Sequence, residues 1–341
     1  MKPKRLQPLN SFSPPRGPVV TVILDGIGVA SADESNGVHV AHTPVLDSLF
    51  SEPHFALLKA HGTAVGLPSD DDMGNSEVGH NALGAGRVFS QGAKLVNEAF
   101  STGSIFQGKS WKRIEENCKN GGTLHLIGLV SDGNVHSHID HLYSLLLACS
   151  QRNIYRVRIH GLLDGRDVGA RSALSYFEPL EQTCREYTLK GYDYRIGSGG
   201  GRMVTTMDRY GADWSIVERG WNAHVRGIGR SFSSATEAIT TYYEEDPEIT
   251  DQYMDSFVIE DDTGPVGLIN DGDAVVLFNY RGDRAIELSQ AFDEDDFEAF
   301  DRKRRPKVFY AGLMEYDGDA QIPQNKLVET PQISGKLSEY L

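Results

Sequence analysis

One serine, Ser76, lies in the stretch DDDMGNSEVGH among side chains that are poorly suited to packing in a core. The neighbouring Gly74 and Gly79 leave the backbone free to turn and to expose it. A serine hydroxyl becomes a good nucleophile only when a base or a metal lowers its pKa. The segment does not match GxSxG, because Val78 stands two residues after the serine, so a hydrolase elbow is excluded. Two interpretations stay open: a phosphate-handling nucleophile, or the N-cap of a helix predicted over EVGHNALGA.

A second candidate, Asp25, directly follows the apolar run VVTVIL at residues 19–24. A carboxylate at the end of a strand is held rigidly at the edge where ligands bind in α/β folds, which suits a metal ligand. Aspartate at such a position is also a common turn former or helix N-cap, so the residue type alone does not decide between the two roles.

Three histidines, His136, His138 and His141, form the pattern HxHxDH after another apolar run. This spacing is typical of dinuclear zinc hydrolases of the metallo-β-lactamase type, and imidazoles suit zinc. Such a site needs further ligands downstream, where only His160 and His224 remain. The zinc hypothesis also leaves the serine motif without a role, and we keep it only as an alternative.

Five arginines fall in or just after loops that follow predicted strands, and each guanidinium can grip phosphate or carboxylate through two N–H groups. Because ligands in α/β folds bind at the carboxyl ends of the strands, we expect these arginines to converge on an anion. They are Arg166, Arg202, Arg209, Arg281 and Arg284. The stretch GSGGGR matches neither GxGxxG nor a P-loop, so no nucleotide is implied.

The elements that must position these side chains alternate between short apolar runs and helix-like stretches. Strands are predicted over residues 19–24, 124–130, 157–163, 194–196 and 274–280, and helices over 139–148 and 286–292. The alternation predicts an α/β fold with mainly parallel sheets. The acidic stretches at 244–252 and 293–301 are predicted to be solvated surface.

Composition narrows the class of protein. A chain of 341 residues suits about two domains, and its formal charge of −15 argues against a nucleic-acid partner. Cys118, Cys149 and Cys184 form neither a disulfide framework nor a CxxC site, which predicts a reduced, cytoplasmic protein. The basic opening segment lacks the apolar core of a signal peptide, and no apolar run is long enough to cross a bilayer.

Together these segments resemble the cofactor-independent (2,3-bisphosphoglycerate-independent) phosphoglycerate mutases of the alkaline-phosphatase-like superfamily. The resemblance runs from about Val19 to Tyr316 and is carried, in the family's order, by VILDGIG, GNSEVGHNALGAGR, SDGNVHSHIDH, LDGRDV, a GGR…MDR pair and FNYRGDRA. It implies interconversion of 3- and 2-phosphoglycerate through a phosphoserine. It also implies two divalent metal ions, manganese in most members, and no 2,3-bisphosphoglycerate.

The resemblance assigns roles to individual residues. It implies that Asp25 and Ser76 bind one metal ion, that Ser76 carries the phosphoryl group, and that Asp167 exchanges protons with the glycerate hydroxyls. The substrate-binding set that it implies is His136, Arg166, Asp167, Arg202, Arg209, Arg281 and Arg284. The expected partner is phosphoglycerate, for a monomer that binds neither nucleic acid nor membrane.

The same resemblance implies a phosphotransferase domain inserted into a metal-binding phosphatase domain. The expected segments are a disordered lead-in (1–18), the N-terminal part of the phosphatase domain (19–89), the phosphotransferase domain (90–327) and the start of a return segment (328–341). Family members are expected to continue past this end, with most metal ligands and a substrate lysine there, and Lys336 is not assigned that role. By itself the chain is therefore expected to lack turnover. The alternatives are a module that binds phosphoglycerate without turnover and a metal-dependent phosphohydrolase.

Overall fold

The computed structural model describes residues 10–11, 13, 15–24, 27–90, 92–329 and 334–340. The chain separates into two compact units. The N-terminal unit comprises Met1–Phe89 with Ile333–Leu341, and the central unit comprises Ser90–Gln332.

The N-terminal unit contains short helices and a small hydrophobic cluster of Val65, Leu67 and Val78. Its helices are α1 (Gly37–Val40), α2 (Pro44–Phe50) and α3 (Ser76–Ala85), with 3₁₀ turns at Gly62–Val65 and Leu337–Glu339. The run at 19–24, predicted as a strand, has no regular secondary structure, and Val19 is 81% exposed. A β-branched run forms a strand only when a neighbour completes its backbone hydrogen bonds, and none of the described residues does so here.

The central unit is organised around one sheet. Its strands are β1 (Leu124–Leu129), β2 (Arg156–Leu163), β3 (Asp193–Gly201), β4 (Arg230–Phe232), β5 (Phe257–Asp261), β6 (Gly264–Pro265), β7 (Ala274–Leu277) and β8 (Phe309–Gly312). The strand order is β4-β5-β3-β2-β1-β7-β8, with β6 paired to β5. Neighbouring strands are parallel except in the β3–β5 and β5–β6 pairs. The predicted α/β class with a mainly parallel sheet is confirmed.

Helices cover both faces of this sheet. They are α4 (Gly92–Ser101), α5 (Lys109–Lys119), α6 (Ile139–Gln151), α7 (Ala173–Leu189), α8 (Trp214–Arg226), α9 (Ala235–Glu245) and α10 (Ile286–Asp293), with 3₁₀ turns at Ser104–Phe106 and Asp251–Tyr253. Alternate residues of β7 enter two separate cores: Val276 packs in the larger cluster, and Val275 packs with residues of α8 and α10. Within the described residues, no helix combines the length and the apolar content needed to span a membrane.

One stretch predicted as a loop is a strand instead. Residues 197–201 of GSGGGR belong to β3. A Cβ on Gly197 would lie 2.6 Å from the Cα of Gly267, and one on Gly199 would lie 2.4 Å from the ring of Phe257. Glycine is therefore required at these positions, because neighbouring groups approach the β3 backbone too closely for a side chain. A glycine-rich stretch, which usually indicates a loop, here forms a strand.

Candidate anion-binding site

The polar loops of the central unit follow the carboxyl ends of strands at a point where the sheet order reverses. β1 pairs with β2 on one side and with β7 on the other. At such a switch point the connections leave on opposite faces, and a crevice opens between them. The residues of the predicted substrate-binding set lie in these loops: His136 after β1, Arg166 and Asp167 after β2, Arg202 and Arg209 after β3, and Arg281 and Arg284 after β7.

The loop after β1 is attached to the loop after β7 by the backbone. The Tyr280 N–H donates to the His136 carbonyl oxygen at 2.8 Å. The Asn279 side-chain oxygen accepts from the Leu129 N–H at 3.1 Å, and the Ser137 hydroxyl donates to the Leu129 carbonyl at 2.5 Å. His136 is thus held at the switch point by two neighbouring strands rather than by its own loop alone.

Arg202 lies at the buried centre of the loops after β2 and β3. Its Nη1 donates to Asp164 Oδ1 at 2.7 Å and to Asp167 Oδ2 at 2.5 Å. Asp164 also accepts from the Ser131 hydroxyl at 2.6 Å and from the Arg166 N–H at 3.2 Å. The two carboxylates compensate a guanidinium that is only 1% exposed. Arg202 Nε is buried and has no hydrogen-bond partner within the described part of the protein.

Asp283 lies among the remaining cations. Its Oδ2 is 3.0 Å from Arg281 Nη2 and 3.5 Å from Arg209 Nη1, and its Oδ1 is 3.8 Å from His136 Nδ1. Arg284 donates from Nη1 to the Met207 carbonyl oxygen at 2.5 Å. The loops after β1, β3 and β7 therefore meet around one carboxylate.

Sequence reasoning missed both aspartates of this site, Asp164 and Asp283. A signal was present, because Asp164 opens DGRD, two residues before Arg166, and Asp283 lies within RGDR, directly before Arg284. In a crowded cationic site the arginines need such carboxylates to fix their orientation.

The pKa shifts of His136 and Arg284 show that the cationic side chains of this site lie close together. Burial lowers the pKa of His136 well below its usual range, and Arg202, Arg281, Arg284 and Arg209 lower it further. His136 is therefore neutral at physiological pH and presents one donor and one acceptor nitrogen. Burial, with Arg209 and Arg202, lowers the pKa of Arg284 to about 10, which still leaves it charged. Cations gathered this closely favour a bound anion.

The HxHxDH histidines do not converge on a metal. The His138 side chain accepts from the Asp140 N–H at 3.2 Å and so caps α6. His141 Nε2 lies 2.6 Å from the Asn97 side-chain oxygen, and the ring stacks on Phe100. Among the described residues, no three His, Cys, Asp or Glu side chains are grouped so that they could hold a metal ion. The dinuclear zinc alternative is not supported.

Ser76 is the first residue of α3, and the helix is capped by Asn75, whose side chain accepts from the Val78 N–H at 3.2 Å. The N-cap interpretation of Ser76 is therefore wrong. Its hydroxyl is exposed and lies 3.2 Å from His80 Nδ1. That nitrogen is also 2.8 Å from the Ser76 carbonyl oxygen, which can only accept, so Nδ1 carries a proton and is no base for the serine.

Asp25, the other predicted metal ligand, lies outside the described residues. Ser76 is the only member of that predicted pair that the structure describes. The described residues by themselves do not fit a two-metal centre.

Comparison with known proteins agrees with the motifs. The family model described as "BPG-independent PGAM N-terminus" matches residues 96–318. A probable 2,3-bisphosphoglycerate-independent phosphoglycerate mutase of Leptospira interrogans is 53% identical over 326 residues, which cover 95% of this chain and 60% of that protein. The 2,3-bisphosphoglycerate-independent phosphoglycerate mutase of Trypanosoma brucei brucei is 54% identical over 330 residues, 96% of this chain and 60% of that protein.

A solved structure agrees as well. Leishmania mexicana phosphoglycerate mutase, determined at low cobalt concentration, superposes with a TM-score of 0.90 at 52% identity over 94% of this chain and 59% of that chain. The chain thus spans about 60% of the length of the curated relatives named above. The matched region includes every residue of the central unit's arginine cluster. This chain belongs to the 2,3-bisphosphoglycerate-independent phosphoglycerate mutase family.

Proposed function

We propose that the central unit binds phosphoglycerate and that the protein interconverts 3- and 2-phosphoglycerate through a phosphoserine at Ser76. One observation carries the proposal: five arginines and a neutral His136 line the loops of one switch point, beside carboxylates that orient them. Phosphoglycerate presents a phosphate, a carboxylate and one free hydroxyl. Several guanidinium groups bind the two anionic groups, and a neutral imidazole adds a directional hydrogen bond without further charge.

The described residues divide this work between them. Arg209, Arg281 and Arg284 lie around Asp283 and are suited to hold the anionic groups of the ligand. The ion pair with Arg202 orients the Asp167 carboxylate, which the proposal makes the proton acceptor and donor for the glycerate hydroxyls. Keeping glycerate held while it turns would let the phosphoryl group return to the other hydroxyl.

The proposal includes parts that the described residues do not supply. The family resemblance adds two divalent metal ions, proposed to be manganese, and makes Asp25 and Ser76 ligands of one of them. A divalent ion bound there would lower the pKa of the Ser76 hydroxyl. The assignment of the N-terminal unit to a phosphatase domain, the monomeric state and the cytoplasmic location are proposals on the same basis.

Binding is tested by calorimetric titration of the purified chain with 3-phosphoglycerate, with glycerate as the matched ligand that lacks the phosphate. We expect saturable heat for 3-phosphoglycerate and none for glycerate, because the arginines act mainly on the dianionic phosphate. A wild-type chain with no saturable response to 3-phosphoglycerate would overturn the proposal.

Turnover is tested in a protein of the family's full length that contains this sequence. Ser76→Ala should reduce conversion of 3- to 2-phosphoglycerate by at least about a thousandfold, because it removes the hydroxyl that the proposal makes the acceptor of the phosphoryl group. The control is Ser69→Ala, since Ser69 is also exposed and its hydroxyl bonds only to Asp72 within the described residues. Appreciable turnover by the Ser76 variant would exclude the phosphoserine.

A further inference from the structure

Six buried side chains form a continuous hydrogen-bonded chain across the central sheet. His125 Nε2 lies 3.2 Å from Asp273 Oδ2, and His125 Nδ1 lies 2.9 Å from His160 Nε2. His160 Nδ1 lies 2.6 Å from the Ser198 hydroxyl, which lies 2.7 Å from His224 Nδ1. The chain ends where His224 Nε2 lies 2.8 Å from the Thr206 hydroxyl. We call this set the histidine chain.

The carboxylate at one end gives every hydrogen bond of the histidine chain the same direction. Asp273 only accepts, so His125 Nε2 carries a proton and Nδ1 accepts from His160 Nε2. His160 Nδ1 must then accept from the Ser198 hydroxyl, whose oxygen accepts from His224 Nδ1. His224 Nε2 is left as the acceptor for the Thr206 hydroxyl. Each imidazole carries one proton and is neutral.

The surroundings keep these imidazoles neutral. Burial lowers the pKa of His125 and lowers that of His160 well below its usual range. Burial also lowers the pKa of His224 to about 3. Burial alone would raise the pKa of Asp273, but bonds from His125 and from the Thr123 and Asn270 amides outweigh it and lower the pKa.

Thr206, at the other end, has an unusual backbone. Its φ is +73°, and the Met207 N–H donates to the Thr205 carbonyl oxygen at 2.8 Å. Together these define a γ-turn of the rare, strained kind, which is least favourable for a β-branched residue. Its hydroxyl occupies space that only glycine leaves, because a Cβ on Gly220 would lie 2.0 Å from Thr206 Oγ1.

This γ-turn leads directly into the anion-binding cluster. Met207 supplies the carbonyl oxygen that accepts from Arg284, and Arg209 follows two residues later. The Thr206 N–H also donates to the Ile216 carbonyl oxygen at 2.8 Å, which ties the turn to α8. A rotation of the turn would therefore move the contact that orients Arg284.

We propose that Thr206 is a positioning residue for the anion-binding cluster, held in its γ-turn by the histidine chain. The proposal rests on the proposed function, because it assumes that Arg284 and Arg209 bind the ligand. It extends that function to residues that touch no ligand. Two hydrogen bonds to α8 keep the strained turn: the Thr206 N–H donates to the Ile216 carbonyl oxygen, and the Thr206 hydroxyl donates to His224 Nε2.

The test compares Thr206→Val with Thr205→Val in the full chain. Valine keeps the shape of threonine and removes its hydroxyl, and Thr205 Oγ1 is buried without a hydrogen-bond partner among the described residues. We expect Thr206→Val to raise the dissociation constant for 3-phosphoglycerate about five- to tenfold. Thr205→Val and the rescue variant Thr206→Ser should stay within about twofold of wild type.

A second readout does not need the ligand. In ¹⁵N spectra of the side chains, Thr206→Val should shift the His224 Nε2 and Arg284 N–H resonances, and Thr205→Val should leave both in place. The wild-type His125, His160 and His224 signals should not titrate between about pH 5.5 and 8.5. Should Thr206→Val fail to fold, Ser198→Ala interrupts the histidine chain away from the turn and should shift the same two resonances.

The two proposals fail in different ways. If the wild-type chain does not bind 3-phosphoglycerate, the proposed function is overturned. In that case the Arg284 resonance still shows whether Thr206 positions the Arg284 side chain. The positioning role is overturned if Thr206→Val, or Ser198→Ala in its place, leaves the Arg284 resonance unchanged. It is also overturned if the affinity of a binding wild-type chain is unchanged in Thr206→Val.

Discussion

Two apolar runs, each six residues long, have opposite outcomes in the two units. VVTVIL, at residues 19–24 of the N-terminal unit, has no regular secondary structure, and Val22 is 73% exposed. LHLIGL, at residues 124–129 of the central unit, is β1, and each of its residues is buried. β1 has a parallel neighbour on each side, whereas the described residues offer the first run none. An apolar run therefore makes a strand possible, and the strand forms only where neighbouring strands complete its backbone hydrogen bonds.

The two units also differ in how their candidate functional side chains are held. The arginines of the central unit lie at the ends of paired strands, and their orientation is fixed by carboxylates such as Asp164 and Asp283. Ser76, in the N-terminal unit, lies on the exposed first turn of α3. A binding function is therefore supported by the geometry of the central unit alone, whereas the phosphoserine is supported by motif and family.

The largest expected difference between the units is in local stability. Limited proteolysis of the full chain should cut within residues 15–60 at least about a thousandfold faster than within 124–329, because cleavage follows the free energy of local opening. Mass spectrometry of the fragments over time measures both rates. Equal rates would mean that the N-terminal unit is as cooperative as the central one.

One alanine substitution in each apolar run should show how much each run contributes to the free energy of unfolding. Leu126→Ala, in β1, should lower the free energy of unfolding by about 2–5 kcal/mol, because a fully buried side chain leaves a cavity. Val22→Ala should change it by less than about 0.5 kcal/mol, because its side chain is already in water. Urea denaturation followed by fluorescence gives both values. A large loss in the valine variant would show that something covers the first run.

The affinity for 3-phosphoglycerate should depend on the arginines of the site and not on an exposed arginine elsewhere in the central unit. Arg281→Ala and Arg284→Ala should each weaken 3-phosphoglycerate binding by about 1.5–3 kcal/mol, the usual range for a charge-assisted hydrogen bond. Arg185→Ala is the control, because that side chain is 62% exposed on α7, outside the loops of the site. Ser76→Ala should also leave the affinity unchanged. Calorimetry that found both cluster variants equal to wild type would remove them from the site.

Apolar periodicity along the sequence was enough to predict several strands and helices of the central unit. Strands predicted at 124–130 and 157–163 occur as Leu124–Leu129 and Arg156–Leu163, and the helix predicted at 139–148 occurs as Ile139–Gln151. The run at 19–24 and the glycines of β3 were wrongly predicted, because pairing and close packing depend on residues distant in the sequence.

The same division holds for the site. The arginines were found because each follows a strand, a property visible along the chain. The ion pair between Arg202 and Asp164 joins residues 38 apart, and the bond between His224 and Ser198 joins residues 26 apart. Nothing local distinguishes Ser198 or His224 from other residues of their type, and the pairing of Arg202 with Asp164 is visible only in the tertiary structure.

The smallest expected effect concerns pH, where acids of the two units shift in opposite directions. In the N-terminal unit, hydrogen bonds from the Thr63 side chain and amide lower the pKa of the exposed Asp70. In the central unit, burial raises the pKa of Glu287 to about 7, with Asp208 adding to the shift and the Gly211 amide opposing it. Both Asp208 and Gly211 lie in the segment that carries Arg209.

The sign for Glu287 follows from proton uptake. Between its unfolded pKa near 4.5 and its folded pKa near 7, the folded chain keeps a proton that the unfolded chain releases, so stability falls as pH rises through this window. Glu287→Gln keeps an oxygen acceptor for the Gly211 N–H and removes the titration. The variant should therefore lose less stability between about pH 5 and 8 than wild type, by about 2 kcal/mol. Urea denaturation across this range measures the difference, with the exposed Glu298→Gln as control. If Glu287→Gln lost as much stability across the range as wild type, Glu287 would be charged in the folded protein at neutral pH.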